Sequence, residues 1–307
     1  MGPVAKNGAV VLACDWGTTN LRAWTLDRSG AVVRSKELPL GVSKLAPGEA
    51  ARRFETEVRP ALDAQALPAV LCGMIGSNLG WTVAPYAECP AALSDLSGAM
   101  IEVAPGVRII PGLRCAGIAG APDVMRGEET QVLGWLAQRP DRATGRHLIC
   151  HPGTHPKWVL VEEGRIARFV TAMTGELFAV LSTHSLLRSE APADDPQAFD
   201  AGLDAAQDGG ALAARLFTAR SRVAGGQAAA ETTPSYLSGL LIGAEVASVP
   251  ALLDAGDLRV ILLGDAALCA RYRHALDRRG LTSETFDGEA AAIAGLLALH
   301  RMGENAR

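Results

Sequence analysis

One local design occurs twice in the chain, and this repeat limits the possible folds more than any other feature. An apolar run, Val10 to Cys14, enters a donor-rich turn, Asp15-Trp16-Gly17-Thr18-Thr19-Asn20, and alternation resumes from Leu21 to Leu26. A Ser29-Gly30 turn and a strand-like run, Ala31 to Leu38, complete the first copy. The same order returns at His147 to Cys150, Pro152-Gly153-Thr154-His155-Pro156, Lys157 to Val161, Glu163-Gly164 and Arg165 to Val170. Each copy predicts three short strands joined by tight turns, followed by helical spacing at Glu49 to Leu62 and at Gly175 to Leu187. Ala69 to Cys72 adds a buried-strand pattern, so the first half reads β-β-β-α-β.

The rest is an α/β pattern. Val107 to Pro111 reads as a strand, and Gly112 to Pro122 has the small-residue composition of a linker and hinge. This predicts an N-terminal domain over 1–118 and a C-terminal domain over 119–307. Helices are predicted from Glu128 through Ala137, over Ala198 to Phe217, Ser235 to Leu253, Leu268 to Arg279 and Gly288 to Arg301. Val260 to Leu263 is a buried strand, and Gly239, Gly243 and Ala247 give the Ser235 helix a close-packing face.

Bulk properties exclude several functions. A formal net charge of -4, with only Lys6, Lys36, Lys44 and Lys157 as lysines, offers no basic cluster to track a phosphate backbone, so no nucleic-acid partner is expected. The six cysteines are scattered and contain no CxxC pair, which predicts reduced thiols in a cytoplasmic protein. The apolar run before Cys14 is too short for a signal sequence. Glu245 and Pro250 interrupt the longest apolar stretch, so no membrane span is expected.

The candidate chemistry lies at the turns. Gly17 lets a ligand approach the backbone, and the amides and hydroxyls of Thr18 and Thr19 offer a donor surface for phosphate oxygens. An ordinary hairpin would use the same residues. Asp15, at a strand end, can hold hydrated Mg²⁺. The chain has neither GxxxxGK[ST] nor GxGxxG. Gly73 to Trp81 follows a strand end and brings Gly76, Ser77, Asn78 and Trp81 to where ligands sit in open α/β sheets. Its glycines also suit plain turns, and Trp81 and Tyr86 also suit a core. Glu128 and Glu129 stand at a helix start, where acidic residues complement the dipole. Gly264-Asp265 joins a strand to a helix N-terminus, a nucleotide-facing arrangement. His147, His151 and His155 recur every four residues, but Pro152 and Gly153 break any helix that would align them for zinc.

DWGTTNLR at 15–22, HPGTHPKW at 151–158 and LLGDAALCARY at 262–272 resemble the two phosphate loops and the adenosine segment of the actin, chaperone and sugar-kinase superfamily. GMIGSNLGW at 73–81, APY at 84–86, IIPGL at 109–113, VMRGEETQ at 124–131, MTGEL at 173–177 and LSGLLIGAEVAS at 237–248 resemble the 2-dehydro-3-deoxygalactonokinase family, nearly end to end. The resemblance implies a two-lobed, actin-like (ribonuclease H-like) α/β fold with a duplicated β-β-β-α core and a central cleft. It implies an ATP-dependent kinase that phosphorylates the 6-hydroxyl of 2-dehydro-3-deoxy-D-galactonate in galactonate catabolism. ATP, Mg²⁺ and the sugar acid are then its small-molecule partners, with a homodimer left open.

The roles that follow place Asp15 on Mg²⁺, and Gly17, Thr18, Thr19, Gly153, Thr154 and Lys157 on phosphate. Gly264 and Asp265 face the nucleoside. Arg22, Gly76, Ser77, Asn78, Trp81 and Arg126 serve the acid, with Arg126 as a fork for its carboxylate. Related kinases carry Gly-Asp where Gly127-Glu128 stands here, which makes Glu128 the general base and leaves Glu129 and Asp123 as rivals. Two other activities use similar loops: an exopolyphosphatase-like phosphohydrolase, and an actin-like switch acting through partners.

Overall fold

The structure, a computed structural model, describes residues 8–207 and 210–305. Strands β1 (Val11–Trp16), β2 (Leu21–Leu26) and β3 (Val32–Leu38) form an antiparallel meander. Helix α1 (Glu49–Arg53) runs through a π-helical turn, Phe54–Val58, into α2 (Arg59–Ala61). Its apolar spacing delivers Phe54, Val58 and Leu62, all fully buried, to the core under β1. Strand β4 (Ala69–Gly73) then lies parallel to β1, with Asp15 beside Cys72.

The chain continues through β5 (Tyr86–Glu88), α3 (Leu93–Gly98), β6 (Ile101–Ala104), β7 (Val107–Ile109), β8 (Gly112–Ala116) and β9 (Pro122–Met125). A six-stranded sheet has the order β3-β2-β1-β4-β7-β6, and a second sheet has the order β5-β8-β9. The hinge expected at Gly112 to Pro122 is therefore corrected, because most of that segment is strand. Gly112 is small for a packing reason, since a Cβ there would lie 2.6 Å from both the Tyr86 ring and the Met125 carbonyl.

Helix α4 (Glu128–Ala137) precedes β10 (Arg146–His151), β11 (Lys157–Glu162) and β12 (Arg165–Thr171). Then come α5 (Thr174–His184), α6 (Pro196–Ala205), α7 (Leu212–Leu216), α8 (Thr218–Ala224) and α9 (Thr233–Leu252). The single helix expected over Ala198 to Phe217 is thus divided, and its residues 208–209 lie outside the described ones. Strand β13 (Val260–Gly264), α10 (Ala266–Arg278), β14 (Ser283–Asp287) and α11 (Gly288–Asn305) close the chain. The third sheet, β12-β11-β10-β13-β14, repeats the order of the first, and β13 lies parallel to β10 as β4 does to β1.

The chain divides into two compact units. One runs to Arg146 and adds Val161–Arg168 and the segment from Asp287; the other comprises His147–Leu160 and Phe169–Phe286. The division expected at 118/119 differs, because β9, α4 and α11 belong with the first unit. In the second unit α9 packs on α6, and a Cβ on Gly239 would lie 2.0 Å from the Phe199 carbonyl, which bears out the close-packing face at that glycine. The Ala230–Leu252 stretch is long and apolar enough to cross a membrane, contrary to expectation. Glu245 and Pro250 do not stop the helix, and 72% of its most apolar part is buried within the fold.

Candidate active site

In the first unit, the carboxyl ends of β1 and β4 gather the polar groups. Asp15 faces Arg22 across the β1–β2 ladder, and Arg22 Nη2 donates to Asp15 Oδ2 at 2.5 Å. Burial works against the Arg22 charge, yet Asp15 holds the guanidinium above its ordinary pKa. Among the described residues, Asp15 Oδ1 has no hydrogen-bond partner.

The Gly17–Thr19 turn is closed by the Gly17 amide, which donates to Asn20 O at 3.0 Å, and is otherwise held through its carbonyls. Val42 N, Ser43 N and Gly41 N donate to the carbonyls of Gly17, Thr18 and Thr19 at 3.1, 3.1 and 3.0 Å. Gly41 fits because any Cβ there would lie 2.1 Å from the Thr19 carbonyl carbon. Among the described residues nothing takes the amides or hydroxyls of the exposed Thr18 and Thr19. The turn thus spends its acceptors inward and keeps the Thr18 and Thr19 donors, the polarity an anion site requires. The support from residues 41–43 was missed from sequence, where Gly41 was the one available signal.

Gly127 joins this place to α4. Its φ of 113° and a prospective Cβ 3.3 Å from Gly73 Cα require glycine, and Gly73 itself leaves only 3.2 Å between a prospective Cβ and Asp15 Oδ1. The two glutamates that follow differ in environment. Glu128 is half-buried and its Oε2 accepts the Arg126 amide at 3.1 Å. Glu129 is fully buried, with its carboxyl taken by the Gly127 amide at 2.6 Å and the Thr130 hydroxyl at 3.0 Å. Burial, then the Glu128 charge, pushes its pKa up to about 8. Glu129 thus resists ionisation, whereas the Glu128 carboxyl is the accessible one. Asp123 is in β9, in register with Cys115. Burial, then the charges of Asp15 and Glu129, push the Cys72 thiol well above its ordinary value and leave it inert.

Arg126 is oriented but not satisfied. Nη2 donates to the Ala84 carbonyl at 2.8 Å, and the guanidinium carbon lies 4.4 Å from the Tyr86 ring centroid. Nε and Nη1 are buried without a partner among the described residues. Gly76 borders them, since a Cβ there would lie 2.8 Å from Nη1. Two unpaired guanidinium donors are costly unless an acceptor meets them, and an anionic carboxylate is a strong one. The neighbouring candidates serve otherwise. Ser77 closes its own turn, donating to Met74 O at 2.7 Å, and Trp81 packs on Phe54 with centroids 5.6 Å apart. Asn78 is exposed, and Tyr86 belongs to the Arg126 contact rather than to the core.

The second unit holds a cavity of about 320 Å³. Gly153 and Gly175 line one end, Phe178, Leu241 and Ile242 give it apolar walls, and Asp265 stands at the start of α10. Gly153 faces open space, while a Cβ on Gly175 would lie 2.4 Å from the Gly153 carbonyl. The Glu176 amide donates to the Thr154 carbonyl at 2.9 Å, so this turn too is backed through its carbonyl. Asp265 caps α10 by accepting the Leu268 amide at 2.9 Å, and Gly264 approaches Pro152. Lys157 differs from the expected phosphate cation. It is 5% exposed and donates to the Thr171 hydroxyl at 2.9 Å, because it opens β11, a strand whose first five residues are all buried. His155 pairs with Glu176 at 2.5 Å.

The family model described as 2-keto-3-deoxy-galactonokinase matches residues 15–299. The chain belongs to that family. It is 38% identical over 287 residues to the 2-dehydro-3-deoxygalactonokinase of Escherichia coli K12, covering 93% of this chain and 95% of that one. A crystal structure from Sinorhizobium meliloti, provisionally described as a 2-dehydro-3-deoxygalactonokinase, superposes with a TM-score of 0.83 at 37% identity, covering 95% and 98% of the two chains. The activator of 2-hydroxyisocaproyl-CoA dehydratase from Clostridium difficile, solved with bound ADPNP, gives a TM-score of 0.52 at 11% identity over 96% of each chain. The last likeness is one of fold, and it agrees with the actin-like α/β architecture that the resemblance implies.

Within the family frame, the first unit brings together Asp15, Arg22, Gly73 and Gly127, with Glu128 next to Gly127 at the start of α4, and separately Gly76 and Arg126. The second brings Gly153 and Asp265 to one cavity. Thr174, Ser238 and Arg271 on its walls were not anticipated.

Proposed function

We propose that the chain transfers the γ-phosphoryl group of ATP to the 6-hydroxyl of 2-dehydro-3-deoxy-D-galactonate, giving 2-dehydro-3-deoxy-6-phosphogalactonate. Besides family membership, the observation that carries this reading is the Arg126 guanidinium, buried with Nε and Nη1 unpaired beside Gly76. A sugar acid brings a carboxylate, the acceptor that these unpaired donors lack.

Glu128 is the general base in this reading. It takes the proton of the 6-hydroxyl as that oxygen bonds the γ-phosphorus, the bond to the β–γ bridging oxygen breaks, and ADP leaves. The free donors of Thr18 and Thr19 and the open approach at Gly153 suit triphosphate oxygens. The apolar-walled cavity of the second unit suits an adenine ring. Asp15 fits hydrated Mg²⁺, with Oδ2 fixed by Arg22 and Oδ1 left to accept from a metal-bound water. When bound, Mg²⁺ would supply positive charge against the negative charge that develops on the leaving phosphate.

An ATP-consumption assay across a panel of 2-keto-3-deoxy acids tests the proposal. Turnover that depends on the galactonate-derived acid and yields its 6-phosphate supports it. Phosphate release without any acid overturns it in favour of a phosphohydrolase.

A further inference from the structure

Glu245 lies inside α9, an otherwise apolar helix, and is 5% exposed. One carboxyl oxygen accepts the Trp158 indole N–H at 2.7 Å, and the other accepts the Tyr272 hydroxyl at 2.9 Å. The Thr174 hydroxyl supplies a further hydrogen bond. These donors come from three elements. Trp158 is on β11, just beyond the Gly153–Thr154 turn; Tyr272 is on α10; and Thr174 is the first residue of α5, next to the Gly175 that backs that turn. Thr174 and Tyr272 also line the cavity.

A carboxyl buried among neutral donors is an expensive way to fill a helix interface. Burial raises its pKa, and an apolar residue of the same volume would avoid the desolvation altogether. Its hydrogen bonds do something an apolar residue cannot, since they fix the relative positions of three elements at once, two of which line the cavity. We infer that Glu245 is a positioning residue for the nucleotide, a buried hub that ties the α5 and α10 walls of the cavity to β11, the strand behind the Gly153–Thr154 turn, at the spacing the nucleotide needs. This rests on reading the cavity as the nucleotide site.

Calorimetric titration of a non-hydrolysable ATP analogue into the full chain tests it, with steady-state kinetics alongside. Glu245→Leu is expected to weaken analogue binding and raise KM for ATP about 10-fold or more, the scale of losing buried hydrogen bonds. Its KM for the sugar acid should stay within about 2-fold, because the acid's groups lie in the first unit. Glu245→Gln keeps an acceptor and should recover most of the affinity. Trp158→Phe removes one donor outside the cavity lining and should weaken binding in the same direction, which carries the test if Glu245→Leu does not fold. Unchanged analogue affinity in folded Glu245→Leu or Trp158→Phe, or an equal rise in both KM values, overturns the inference. A wild-type chain that binds the analogue without phosphorylating any acid would instead overturn the substrate reading.

Discussion

Arg22 Nη2 and Asp15 Oδ2 lie 2.5 Å apart, across the one position where β1 and β2 set those two residues opposite each other. The pair holds the carboxylate in one orientation and leaves its second oxygen available. Asp15→Asn keeps the size of the group but removes its charge. It is expected to lower kcat about 100-fold, the usual scale for one charge-stabilising group, and to raise the Mg²⁺ concentration needed for half-maximal rate. Arg22→Gln should have a smaller effect on kcat. A magnesium titration of both variants checks the order, and an Asp15→Asn enzyme with an unchanged Mg²⁺ requirement would remove Asp15 from the metal.

The glutamates at the start of α4 should separate in kinetics. Glu128→Gln removes the accessible base and is expected to lower kcat by about 10² to 10⁴, whereas Glu129→Gln still accepts the Gly127 amide and should stay within about tenfold. If Glu129→Gln is the slower enzyme at pH 7, the base has been placed one residue too early.

Glu129 also predicts a pH dependence of stability. Its folded pKa of about 8 lies above the ordinary 4.5, so between those values the folded state binds more protons than the unfolded state. The stabilisation is fully present below about pH 4.5 and is lost as pH rises through about 8, at a slope of up to about 1.4 kcal/mol per pH unit. Denaturant unfolding from pH 5 to 8 should show this decline in the wild type and a shallower one in Glu129→Gln. Parallel profiles would mean that Glu129 is ionised across the range.

Most of the fold was legible because strand alternation and the Gly-Thr turns are local signals, and the two copies reinforce each other. What escaped was decided by partners distant in sequence. Gly112 to Pro122 has linker composition, but Gly112 is small because the Tyr86 ring packs against it, and that contact cannot be read from the segment itself. Lys157 follows a phosphate-like turn, yet its place on β11 sends it to Thr171. Glu245 looked like an interruption of an apolar stretch, when its position there was the signal of a buried hydrogen-bonded hub. Arg126 was legible as a cation for the acid, but its orientation by Tyr86 and Ala84 depends on residues some forty positions away.

Arg126 and Gly76 should fail in the same way. Arg126→Lys loses the fork and the stacking on Tyr86, and Gly76→Ala puts a methyl group 2.8 Å from Nη1, which must then move. Both are expected to raise KM for the sugar acid by about 10- to 100-fold, as for a lost charge-assisted pair, while KM for ATP changes by less than about threefold. Equal effects on both substrates would assign Arg126 to phosphate.

The Gly153–Thr154 turn permits a sharper comparison, because two neighbouring glycines are small for different reasons. Nothing lies within 4 Å of a prospective Cβ on Gly153, whereas one on Gly175 would meet the Gly153 carbonyl at 2.4 Å and Thr154 Cα at 2.7 Å. Gly175→Ala must therefore displace the turn, and should lower Tm as well as raise KM for ATP. Gly153→Ala has room in the folded chain and should leave Tm within about 2 °C, the scale of a surface substitution. Its methyl group would instead occupy the space through which a phosphate reaches the backbone, so KM for ATP should rise at least about tenfold. Thermal melts paired with ATP kinetics distinguish the two. A Gly153→Ala enzyme with normal Tm and normal KM for ATP would show that the open face of this turn does not receive phosphate.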